Sequence, residues 1–269
     1  MRQRPRQDSR GILDPGRLLR QVRFRRRLPA PALHPYVEHY WLVDWELTEP
    51  FAQRVVPHPA VNVVFHGQDG GPETAEVAGP GDELFAITLH GVGRASGILF
   101  RPGGFRPFWR RPVADLNGRR RPLAAVGLPT GGPVCPGTDD DRCQRLDALL
   151  TGWAPAPDPL AAEVTALVAE IRADRTILRV DDFARRHGVS TRRLQRLFLD
   201  HVGVGPKWVI RRYRLQEATE QAAGGPLDWA GLASDLGYSD QAHLVREFTS
   251  VTGVSPAAYA RSLVEPSGG

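Results

Sequence analysis

The sequence predicts an α+β protein: a small antiparallel β domain with short helices, then an all-α domain built from two helix-turn-helix modules. Three observations carry this. Apolar residues alternate or run in short blocks up to Phe100. After Pro159 the texture turns helical and stays so. The helical part contains an internal repeat at an offset of 49 to 50 residues.

The first ~17 residues, beginning MRQRPRQDSRG, are polar and arginine-rich and predict a disordered basic tail. In the β region His39, Trp41, Val43, Trp45 and Leu47 alternate with more polar neighbours. Val61–Phe65, Leu84–Leu89 and Ile98–Phe100 are short runs rich in β-branched and aromatic residues, as strands require. Gly91 and Gly93 are expected to turn the chain between the last two, and Gly67–Gly71 and Gly79–Gly81 punctuate the series. Phe105, Phe108 and Trp109 suggest a short helix halted at Pro112. Residues 112–158 are poorly periodic and predict loops with one short helix at about Arg142–Leu150. WAPAPDP, ending at Pro159, predicts a linker. The expected division is a 1–17 tail, an 18–158 β-rich domain with an irregular linker, and a 159–265 helical domain.

Composition bounds the function classes. Hydrophobic residues make up 41% of 269, a soluble globular profile. No apolar run reaches the length of a membrane span and the N-terminus lacks a signal-peptide core, so a cytoplasmic protein is expected. Cys135 and Cys143 form a lone C-x7-C without the four ligands of a structural zinc. The net charge is +5, unevenly placed. Residues 1–27 carry ten Arg against Asp8 and Asp14, and Phe183–Arg214 holds nine basic residues against Asp200. From Leu215 onward two basic residues face seven acids. A basic block is the footprint of a polyanion partner, although a solvated arginine-rich surface gives the same count.

The repeat is detailed. Phe183-Ala184 matches Leu232-Ala233, and Gly188-Val189-Ser190 matches Gly237-Tyr238-Ser239. After one inserted residue Leu194, Arg196 and Phe198 match Leu244, Arg246 and Phe248. Gly203, Val204 and Pro206 then match Gly253, Val254 and Pro256. Each copy has the mechanics of a helix-turn-helix. A helix ends at a glycine that can take positive φ, and Ser190 in one copy, Ser239 or Asp240 in the other, can cap the next helix. Leu194, Leu197 and Phe198 share one face of the first recognition helix, leaving Thr191, Arg192, Gln195 and Arg196 outside. In the second, Leu244, Val245 and Phe248 face inward and Gln241, His243, Arg246 and Glu247 outward. Arg and Gln suit base edges because they bond guanine and adenine bidentately. Lys207–Ala223 lack Gly and Pro and predict a connecting helix opened by Pro206 and ended at Gly224.

These residues resemble the AraC/XylS family of transcription regulators over about Val180 to Arg261, most closely in LASDLGYSDQAHLVREFTSVTGVSPAAYAR. The resemblance implies a seven-helix domain with recognition helices near Ser190–Asp200 and Asp240–Ser250. Carried over position by position, it implies DNA-facing roles for Ser190, Thr191, Arg192, Gln195, Arg196, Gln241, His243 and Arg246. Leu194, Phe198, Leu244, Phe248, Gly203, Gly253, Pro256 and Tyr259 become core or turn positions. Arg185, Arg211 and Arg212 are expected to attract phosphate. Asp228, Asp235, Asp240 and Glu247 surround the second module, so weaker DNA binding or a partly protein-directed role is the competing reading there.

VVPHPAVNVVFH and GILFRPGGFRPFW resemble the N-terminal β domain of a subset of AraC-type regulators, over about residues 20–150. Trp41, Trp45, Phe65 and Phe100 are candidates to line an apolar ligand pocket; filling a β core is the alternative. His34, His39, His58, His66 and His90 fit no compact metal motif, and no catalytic series or phosphate-cradling loop is readable. No cofactor, metal or catalytic residue is therefore expected. The partners expected are double-stranded DNA and, beyond it, RNA polymerase, a small-molecule effector and a second copy of the chain. The functional alternatives are a constitutive DNA binder whose β domain only dimerises, and an enzyme domain fused to a DNA-binding module.

Overall fold

The computed structural model describes residues 15–55, 58–81, 84–222, 228–235, 237–256 and 258. Most of the expected tail thus lies outside the described residues; Pro15–Gln21 form a first helix, α1. Six strands follow: β1 (Val22–Arg27), β2 (Val37–Val55), β3 (Asn62–Gln68), β4 (Thr74–Ala78), β5 (Phe85–Phe100) and β6 (Arg120–Pro122). They form one antiparallel sheet in the order β1-β2-β5-β3-β4-β6. Three helices complete this half or join it to the next: α2 (Arg106–Trp109), α3 (Asp139–Gly152) and α4 (Pro159–Ala173).

Register assigns the sheet's two faces, because directly paired residues point the same way and successive ones alternate. Leu42 pairs with Ser96 and Ser96 with Phe65; Tyr40 pairs with Ile98 and Ile98 with Val63. That face, extended by Phe100, is buried with Phe105, Phe108, Trp109, Leu146, Leu150 and Trp153. On the other face Trp41 pairs with Gly97 and Trp45 with Gly93 and Val22. Leu18, Val22, Trp45, Phe51 and Leu89 form a separate core there.

Two expectations are corrected here. Phe65 and Phe100 lie on one face of the sheet, Trp41 and Trp45 on the other, so the four do not line one pocket. Their rings are taken up by packing: Phe100 meets Phe105 at 4.9 Å between centroids, and Trp45 stacks on His66 at 5.5 Å. Nor do Gly91 and Gly93 turn the chain, since β5 runs through both. A Cβ on Gly93 would lie 2.1 Å from Cζ2 of Trp45, and one on Gly97 1.9 Å from Cε2 of Trp41. These glycines make room for indole rings across the sheet.

The 112–158 stretch is more ordered than its texture suggests. Strand β6 pairs with β4, and α3 extends beyond the expected helix because Thr138 and Asp141 form a capping box. Arg142 on α3, 1% exposed, reaches the sheet. Its Nε donates to Ser96 Oγ at 2.9 Å, and its Nη1 to Asp44 Oδ1 at 2.7 Å. One turn on, Asp147 accepts from the Tyr40 hydroxyl at 2.8 Å.

The rest is helical: α5 (Val180–Arg186), α6 (Thr191–His201), α7 (Pro206–Ala222), α8 (Trp229–Asp235) and α9 (Gln241–Thr252). Val164, Leu167, Ile171, Phe183, Leu194, Phe198 and Tyr213 share one core; Leu215, Leu232, Leu244 and Phe248 share the next. Among the described residues no helix is long and apolar enough to cross a membrane.

The halves meet through polar and close-packed seats. Asp158 caps α4 by accepting from Leu160 N and Ala161 N at 3.2 Å, and pairs with Arg106 at 2.7 Å. Its carboxylate also lies 3.4 Å from Nε2 of the buried His201 at the end of α6. Arg172 pairs with Glu38 at 3.2 Å. A Cβ on Gly203 would lie 2.8 Å from Pro80 Cγ and 3.0 Å from Val113 Cγ1 and O; one on Gly253 would lie 3.2 Å from Arg54 Nη1. The repeat's two equivalent glycines therefore both face the β half.

His58 sits in this seam, edge-on to Tyr213 at 6.3 Å. Burial, and then the cations Arg212, Arg172 and Arg26, hold its pKa at about 4 against the pull of Glu38. The folded protein thus keeps His58 neutral, while the unfolded chain takes up its proton near pH 6.5. Stability from this group is full above pH 6.5 and is lost as pH falls towards 4, by roughly 3 kcal/mol at most. Urea titrations of the wild type and His58→Phe across that range are expected to show a steeper acid loss in the wild type; parallel curves would refute this.

Candidate nucleic-acid interface

The two modules are built alike. In the first, Gly188 (φ +63°) ends the turn after α5, and Ser190 Oγ accepts from Arg193 N at 3.2 Å to cap α6. In the second, Gly237 (φ +73°) ends the turn after α8, and Asp240 accepts from His243 N at 2.7 Å to cap α9. Asp240, not Ser239, is therefore the cap. Gly203 and Gly253 follow the recognition helices at φ +89° and +73°. Both glycine pairs of the repeat thus occupy the left-handed region that other residues enter at a cost.

Helix α6 buries Leu194, Leu197, Phe198 and His201. Ser190, Arg192, Gln195 and Arg196 are exposed, as expected, and so is Arg193, which the sequence reading left out. Its signal was its place one residue beyond Arg192, off the buried stripe. Thr191 is only half exposed, and its hydroxyl donates to Asp181 at 2.9 Å, tying α6 to α5. Helix α9 buries Leu244 and Phe248 and exposes Gln241 and Arg246. His243 is half-buried, its ring 3.2 Å from Ser239 Oγ and 3.7 Å from a Glu247 carboxylate oxygen. Tyr259 lies outside the described residues, so its expected core role has no structural account.

The basic block is less of a surface than its count suggests. Arg185 pairs with Asp182; Arg186 reaches Asp174 at 2.7 Å and Glu170 at 3.2 Å. Arg211 lies 3.7 Å from Glu247 of α9. Arg212, expected at phosphate, is only 8% exposed, and burial draws its pKa down to about 10. That expectation is corrected: Arg212 stands inside the fold, beside Tyr213 and Tyr238. Arg214 is 1% exposed, with Nη2 donating to Ile171 O at 2.6 Å and Asp174 O at 2.7 Å. By contrast Arg192, Arg193 and Arg196 have no acidic partner among the described residues. Three unneutralised guanidinium groups on one exposed helix make an anion-attracting, hydrogen-bond-donating surface.

In the β half, among the described residues, no three His, Cys, Asp or Glu side chains gather as a metal ion would require. Burial pushes the Cys135 thiol up to about 12 and the Cys143 thiol to about 11, and neither forms a disulfide.

Fold and surface together define a mixed α+β chain whose helical half carries two helix-turn-helix modules. Residues 183–262 match the family described as a helix-turn-helix domain, and residues 25–122 a domain of unknown function, DUF6597. The chain is similar to AraC-like transcription regulators. It is 31% identical over 124 residues to a protein of that description from Streptomyces lividans, covering 46% of this chain and 40% of that one. An HTH-type transcriptional regulator of Haemophilus influenzae is 25% identical over 99 residues, covering 37% and 33%. The chain thus spans two-fifths or less of the length of these relatives. Among solved structures, ToxT from Vibrio cholerae O395 is 10% identical over 91% of this chain and 98% of that one, with a TM-score of 0.42.

Proposed function

We propose that this protein is a sequence-specific regulator of transcription that inserts α6 and α9 into successive major grooves of double-stranded DNA. The observation that carries this reading is the set Arg192, Arg193 and Arg196, exposed on a recognition helix and unneutralised within the fold. Arg192, Gln195 and Arg196 read bases, with Ser190 and Thr191 at the helix start; Gln241, Arg246 and His243 do so in the second module. Arg185 and Arg211 supply phosphate attraction once their carboxylate partners are outcompeted. The 17 residues of α7 span roughly 25 Å, a length suited to modules serving grooves about 34 Å apart. The division at Pro159 is part of the same proposal, supported by the Asp158 cap and by the separate cores on either side.

The β half is assigned the input role, taking a small-molecule effector or a second copy of the chain, and RNA polymerase is the downstream partner. A cytoplasmic location follows from the DNA-bound role. No catalytic step is assigned to any residue.

The test is selection of DNA sequences by the full chain, followed by affinity at several salt concentrations. A bipartite site with halves about one helical turn apart is expected. A single enriched half-site would leave α6 as the sole reader, and binding to every sequence alike would refute specific recognition. On the selected site Arg196→Ala is expected to cost about 1–3 kcal/mol and to relax preference at one base pair. An equal loss on all sequences would instead make Arg196 a phosphate contact.

A further inference from the structure

Helix α6 carries one residue that neither its fold nor its charge explains. Leu199 is 43% exposed, one of five large hydrophobic residues left open among the described residues. The core of the module is complete without it: Leu194, Leu197 and Phe198 are all less than 7% exposed. At roughly 100° per residue, Leu199 lies about 20° around the helix from Arg192, 40° from Gln195 and 60° from Arg196. It therefore sits in the middle of the outward face, flanked by the polar side chains assigned to base edges.

We propose that Leu199 reads the C5 methyl group of a thymine in the major groove. An aliphatic side chain among base-bonding groups has no donor or acceptor to offer, and the thymine methyl is the apolar feature of that groove. Leu199 stands about 4.5 Å further along the helix axis than Arg196, close to one base-pair step of 3.4 Å. The thymine is therefore expected beside the base pair addressed by Arg196. Thr249, at the equivalent place in the second module, engages its hydroxyl with Val245 O at 2.7 Å, so that copy too keeps its polar group off the bases here. The inference rests on the DNA-reading role of α6, and its test separates the two.

The full chain is bound to its selected site in versions where each thymine of the first half is replaced singly by deoxyuridine, which removes only the methyl group. One replacement is expected to weaken wild-type binding about fourfold, the value of burying one methyl-sized group. With Leu199→Ala that penalty should fall below twofold, while with Arg196→Ala it should persist. Leu199 is exposed, so both variants are expected to unfold in urea as the wild type does. Equal deoxyuridine penalties in wild type and Leu199→Ala, or a first half without a sensitive thymine, would overturn the assignment while leaving DNA reading intact. Loss of self-association in Leu199→Ala with DNA binding unchanged would overturn it in favour of a protein contact. Absence of any selected sequence would overturn the DNA-reading role itself.

Discussion

Replacing Arg142 by Met is expected to cost the β half about 3–5 kcal/mol, because it strands groups that the guanidinium now satisfies. Asp44, Ser96 Oγ and the carbonyl of Ala95 all accept from this one side chain. Asp44 keeps a second cation, Arg25, which also holds Asp139 at the start of α3. That remaining pair, and the partial exposure of Asp44, place the expected loss at the lower end of the range. Denaturation by urea, followed by tryptophan fluorescence, measures it directly. A loss below about 1 kcal/mol would mean that the sheet and α3 are held by apolar packing alone. The double replacement Arg142→Met with Asp44→Leu is expected to recover more than half of the deficit, since it removes the buried charge together with its partner. Failure to recover would place the effect in steric fit and not in unsatisfied polar groups.

Arg214→Met is the second large effect, about 2–4 kcal/mol in the helical half. Its guanidinium accepts nothing; it donates to two carbonyls at the end of α4 and to Glu217 at 2.7 Å. Those carbonyls are among the groups that every helix end leaves without an internal partner, and a cation there also answers the helix dipole. Glu217 in turn holds Arg175 at 2.9 Å, so the loss loosens the junction of α4 and α7. DNA affinity is expected to fall with stability, because α6 packs on the same core. A phosphate contact would behave differently, lowering affinity and the salt slope by about one while leaving the unfolding midpoint unchanged. Measuring both on one variant decides between them.

The helical half was readable because its signals are local. Glycines 188, 203, 237 and 253, the capping residues Ser190 and Asp240, and the buried stripes of α6 and α9 each lie within a few residues of the turns they make. The fate of the arginines was not readable in the same way. Arg212 and Arg214 count as surface charge until α7 is known to run through the interior, and the carbonyls that receive Arg214 lie some 40 residues away. The β half failed for a related reason. Trp41 and Phe65 both look like pocket or core residues, and only strand register decides which face each occupies. A one-residue shift would have put them together. Gly93 is a further example: a glycine between apolar runs looks like a turn, and here it is a flat place on which the Trp45 indole lies.

The seating of Gly203 and Gly253 against the β half gives that half a further property, that of a ruler. Each recognition helix is followed by a glycine resting on a different part of the β half, against Pro80 and Val113 beside the sheet for the first and near Arg54 of β2 for the second. The gap between α6 and α9 is thus gauged by the β half. On the proposed DNA-reading role, remodelling the β half between those two seats is expected to change the operator spacing the protein accepts, with the side chains proposed to read bases left in place.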